Sequence, residues 1–189
     1  MSAEAPRRIA GDDLRGSSRR VGPLWFGFAA FAMLLARIVP DDLYSRSAFL
    51  REIADAVAAL FGSIGEFAAH SQFPGTTRVV LALLWIFVPV LTWIQWRFPG
   101  YVLRAEQIKP KSRVYLLAFL VVILSVVPIV PMVLVITPDQ VHRRTSLDYV
   151  VRLATSNRIA FGFIAGLYCV ISAWLLACVP AVVERLKNF

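Results

Sequence analysis

Four long apolar runs, separated by short charged segments, organise this chain. Residues 22–39, 79–96, 114–137 and 159–183 are nearly free of charge, and runs of that length read as apolar helices. The first opens at Pro23, a residue suited to an initial helical turn. It ends at Pro40-Asp41-Asp42. Its one charge, Arg37, lies close enough to the end to snorkel toward an interface or to pair with Asp41 one turn on. The second run is uncharged between Arg78 and Arg97. Its eighteen residues rise about 27 Å, against a hydrocarbon core of about 30 Å. Trp93, Trp96 and Tyr101 gather at its far end as an aromatic belt would. The third contains Pro128 and Pro131, which apolar spans tolerate when neighbours satisfy the freed carbonyls. The fourth closes on Glu184-Arg185-Leu186-Lys187.

Residues 47–71 follow a different pattern. Phe49, Ile53, Val57, Leu60, Ile64 and Phe67 recur every three or four positions, which predicts one apolar stripe on a helix. Arg51, Glu52, Asp55 and Glu66 interrupt the stretch. Each charge costs about 2.5–3.5 kcal/mol at a bilayer centre, so this segment is not expected to span. It reads as an amphipathic helix on the outer side, along the surface or packed over the bundle. Its acidic balance favours protein as much as lipid.

The remaining segments are polar. Residues 1–20 lack apolar periodicity and read as a flexible basic tail, leaving 21–189 as one membrane domain. The pair Arg19-Arg20 lacks the apolar residues and cleavage site of an export signal, so the first run reads as an uncleaved anchor. Residues 139–158 form a polar connection, with a short helix capped by Ser146.

Composition decides the solvent. The chain is 58% hydrophobic and 17% charged, whereas soluble domains run near 45–50% and 25%. The predicted fold is therefore all-α: an integral membrane four-helix bundle with an additional amphipathic helix on the outer side. The net charge of +8 adds orientation, because the basic residues cluster at the ends of apolar runs. Of 20 Lys and Arg, twelve fall in the tail, in the 97–113 segment and at the carboxyl end, and eight fall between the other run ends. The positive-inside rule then puts both termini in the cytoplasm, in a bacterial inner membrane. Insertion alone explains such flanks, so nucleic acid is not an expected partner.

Candidate chemistry is sparse. The run interiors hold no Asp, Glu, His or Lys, which disfavours proton-coupled transport and bis-histidine haem. Cys169 and Cys178 are nine residues apart on one helix, on opposite faces and about 13 Å apart, too far for a disulfide. His70 and His142 show no metal-ligand spacing, so neither metal nor cofactor is expected.

The clearest motif is the small-residue stripe Gly162, Gly166, Cys169, Ala173 and Ala177. Small residues four apart let two helix backbones approach closely. The stripe predicts a packing interface, either within this bundle or toward a second copy or another membrane subunit. Pro89, Gln95, Pro128, Pro131 and Pro180 are the candidates for kinks or a pathway. The expected partners are the lipid bilayer and other membrane subunits, or a homo-oligomer. The leading expectation is a non-enzymatic accessory or assembly subunit of a larger membrane complex. A small transporter or channel using the proline-broken helices is the alternative. A membrane immunity-type protein, or an enzyme acting at the outer surface through His70 and His142, is the weaker one.

Overall fold

The computed structural model describes residues 9–61, 63–97, 113–122 and 146–188, and they are all-α. The helices are α1 (Ile9–Ile38), α2 (Leu43–Arg46), α3 (Ala48–Leu60), α4 (Ser63–Ala69), α5 (Pro74–Arg97), α6 (Arg113–Val122), α7 (Ser146–Ser156) and α8 (Arg158–Lys187). Two of them, α5 and α8, are long and apolar enough to span a membrane. The apolar part of α1, Gly22–Ile38, and α6 are shorter. Pro128, Pro131 and His142 lie outside the described residues.

α1, α5 and α8 form the frame. α8 runs antiparallel to α1, since Gly162 meets Ala32 while Trp174 meets Trp25. It runs parallel to α5, with Phe161 on Phe73 and Tyr168 on Trp85. One end of the frame therefore gathers the carboxyl end of α1 with the amino ends of α5 and α8. The core along it is apolar and includes Ala32, Ala36, Val80, Leu84, Val88, Phe161, Cys169 and Ala173. α2, α3 and α4 pack on α5, and α7 packs on α8. Gln72 N–H donates to the Thr155 carbonyl at 3.0 Å, tying the approach to α5 onto α7.

Three boundaries differ from the pattern-based expectation. α1 is already helical at Ile9, so Pro23 lies inside it and not in its first turn. Propagation adds one hydrogen bond per residue fixed, and Leu14, Arg15, Arg19 and Arg20 are good helix formers; a polar segment extends the helix without any apolar face. α5 begins at Pro74, five residues before the apolar run. Proline loses nothing at a first helical position, and a carboxylate from α1's end caps the helix, as described below.

The third difference is larger. The stripe over residues 47–71 is not one helix but two, broken after Leu60, where Phe61 takes φ −128° and ψ 78°. Leu60-Phe61-Gly62-Ser63 supplies a glycine, poor in a helix interior, and a serine, favoured at helix starts. The break lets both pieces reach α5. The Phe61 ring stacks on Trp85 at 4.1 Å, while Ile64 and Ala68 turn into the core.

Candidate functional site

At the gathered end of the frame, short-range chemistry fixes three helices to one another. The Val39 carbonyl follows the last turn of α1 and accepts from two side chains: Thr76 Oγ1 of α5 at 3.2 Å and an Arg158 guanidinium nitrogen of α8 at 3.4 Å. An arginine at a helix carboxyl end also complements the helix dipole. The Asp41 carboxylate, just past α1, accepts from the Thr76 N–H at 2.9 Å, 35 residues away. That N–H is one of the donors a helix start leaves unpaired, and an aspartate is a preferred acceptor for it. Thr76 and Thr77 are fully buried, and Thr77 Oγ1 bonds Ser71 Oγ at 3.0 Å. Arg158 also lies over the Phe73 ring, 5.5 Å from its centroid. At the start of α8, Asn157 accepts from the N–H groups of Ile159 and Ala160.

Gly75 makes this junction feasible. A Cβ there would overlap the Asp41 backbone carbonyl. Only a residue without a side chain lets the two segments meet.

A second polar group surrounds Tyr44 on α2. Its hydroxyl donates to an Asp55 carboxylate oxygen of α3 at 2.7 Å and accepts from Arg78 of α5 at 3.0 Å. The Arg78 guanidinium is 5.2 Å from the Tyr44 ring centroid. One phenol thus links three helices. Outside it, Arg46 pairs with Asp42 across one exposed turn, a contact of small worth.

Further along the frame, the small-residue stripe faces α1. A Cβ on Gly162 would lie 2.6 Å from the Ala32 carbonyl oxygen and 2.7 Å from Met33 Cα. One on Gly166 would lie 2.8 Å from Ala32 Cβ and 3.0 Å from Ala29 Cα. Cys169, Ala173 and Ala177 continue the stripe and are buried, and Cys169 and Cys178 are not joined by a disulfide. α1 meets it with a stripe of its own, Ala29, Ala32 and Ala36, all buried. That alanine spacing of three and four was visible in the sequence, but its meaning depended on which helix faced it.

The other candidates are scattered. Pro89 and Pro180 are both exposed, on faces turned away from the packed frame. Gln95 is fully buried; its amide nitrogen donates to the Val170 carbonyl at 3.4 Å, and its Oε1 has no partner among the described residues. His70 is exposed, with Nδ1 2.9 Å from the Glu66 carbonyl it bonds. No cluster of three metal-ligating side chains occurs among the described residues.

The buried polar side chains among the described residues are Thr76, Thr77, Gln95 and Ser172, three hydroxyls and an amide. Thr76 and Gln95 tie helices to one another, and none of the four ionises near neutral pH. The junction missed by sequence reading carried one usable signal: Asp41-Asp42 after one apolar run and Pro-Gly-Thr-Thr before the next, an acceptor and a helix start. Compared with family models, with curated proteins and with solved structures, the chain matches none.

Proposed function

We propose that the chain is a four-span membrane protein, with both termini cytoplasmic, acting as a non-enzymatic accessory or assembly subunit of a larger inner-membrane complex. The observation that carries this reading is the division of surfaces. The small-residue seam is consumed between α1 and α8. Among the described residues, a broad apolar face stays exposed on α1 and α5, including Phe31, Leu34, Ile86, Phe87 and Val90. Exposed faces of this size mark contact with lipid or with another subunit. The seam is used within the chain, and the open face is the surface offered to the remaining span, to lipid or to another subunit. The apolar run over 114–137 supplies the remaining span, and the distribution of Lys and Arg supports the orientation.

Purification in mild detergent tests the reading. It predicts co-purification of a stoichiometric membrane partner or a defined homo-oligomer. A lone monodisperse monomer across several detergents overturns it.

A transporter or channel is the second reading, and Gln95 is the observation in its favour: a buried amide with one oxygen unpartnered among the described residues suits a polar pathway. The outward-facing Pro89 and Pro180 weigh against it. It predicts water-accessible cysteines at substituted positions around Gln95, Pro128 and Pro131. Protection of all of them ends it.

A further inference from the structure

We infer that α3 and α4 form a re-entrant hairpin, entering the membrane beside α5 and returning to the same side, with Leu60 touching acyl chains. The inference rests on the membrane reading above and adds a depth to it. The charges of this segment lie at its two ends: Arg51, Glu52 and Asp55 before, Glu66 after. Between them, Ala56 to Gly65 carry none. An uncharged stretch of about 10–14 residues is too short to span but suits a re-entrant segment.

Two rulers give the same depth for the turn. Along α5, Trp85 lies seven residues beyond Arg78, the last charge before the apolar run, or about 10 Å at 1.5 Å per residue. The Phe61 ring stacks on that Trp85. Along α3, Asp55 is held at the level of Arg78 through Tyr44. Phe61 is six residues further on, or about 9 Å. α3 therefore descends alongside α5. α4 then climbs back, with Phe67 stacked on Phe161 near the start of α8. At the turn, Phe61 N–H donates to the Val57 carbonyl and Ile64 N–H to the Phe61 carbonyl. Such pairing is what a chain reversal inside hydrocarbon requires.

Exposure names the occupant. Leu60, at the bottom of α3, is 78% exposed. At that depth its neighbour is acyl chain and not water. Ala56 and Ala59 on the same exposed side add no charge that lipid would reject.

Site-directed spin labelling of the full chain in liposomes tests this. Nitroxides are placed singly at Leu60→Cys, Arg51→Cys and Val90→Cys, the last on the open face of α5. They are built on Cys169→Ala/Cys178→Ala and repeated on the parent chain, whose own thiols are buried. The readout is collision with oxygen, enriched in lipid, against a water-soluble nickel chelate equilibrated across the vesicles. The expected result is oxygen dominance at Leu60 and Val90 and chelate dominance at Arg51. Chelate dominance at Leu60 with oxygen dominance at Val90 overturns the hairpin and leaves the membrane reading standing. Chelate dominance at both overturns both. Low collision with either reagent at Leu60 means protein covers it, which also overturns lipid contact.

Discussion

The α1–α8 seam and the contact of the α3–α4 segment with α5 hold apolar helices together in opposite ways. At the seam nothing large intervenes: Gly162 and Gly166 let α8 lie against the α1 backbone at Ala29, Ala32 and Met33. At the second contact a ring fills the gap, Phe61 on Trp85, and beside it Phe67 of α4 and Phe73 just before α5 flank Phe161 of α8. The seam gains dispersion from backbone proximity, which fails when any atom is added. The aromatic contact gains it from bulk, which fails when atoms are removed. Opposite substitutions should therefore damage the two regions.

The largest effect is expected from Trp85→Ala, which removes the ring on which Phe61 and Tyr168 rest. The cost should be about 3–5 kcal/mol, read as a fall in the unfolding midpoint in mild detergent. Proteolysis should begin within residues 42–73 while α1–α8 stays intact. Next is Gly162→Leu, expected to cost up to about 3 kcal/mol by forcing the α1 backbone away. Its mark is loss of an engineered α1–α8 crosslink with the Phe61 environment retained.

Asp41→Ala should cost about 0.5–2 kcal/mol through the lost cap on α5. Faster amide exchange at Thr76 would show it, with Asn largely restoring the wild-type rate. Tyr44→Phe removes the hydroxyl between Arg78 and Asp55 and should cost about 0.5–1.5 kcal/mol, seen as greater mobility of α3 alone. The smallest effect has the opposite sign. A Cβ at Gly27 meets nothing within 4 Å, so Gly27→Ala should stabilise by about 0.4–1 kcal/mol. A destabilised Gly27→Ala would show that α1 touches something on its exposed side.

The sequence made the long elements legible and the junctions opaque. The limits of α8 follow from an uncharged run bounded by Arg158 and by Glu184-Arg185, because burying charge in an apolar setting is costly. The Gly162–Gly166 spacing signalled close approach but not its partner, since Ala29, Ala32 and Ala36 look like any helical alanines until a helix faces them. The break after Leu60 was hidden by its own periodicity. Spacings of three and four continue from Phe49 to Phe67 whether the helix runs on or reverses. The caps were hidden by distance, because Asp41 serves an N–H 35 residues later and local pattern does not carry that pairing.

The meeting of Asp41 with Gly75 and Thr76 has a further consequence, for how this chain tolerates change. The two segments touch at a neck, so everything between them is an excursion that leaves and returns at one point. Loop-closure entropy grows only slowly with length. Residues inserted at exposed points of the excursion therefore leave the spacing of α1 and α5 almost undisturbed. Variation at its exposed positions is buffered in this way, whereas Phe61, Ile64 and Phe67, which pack on the frame, are held to their identity.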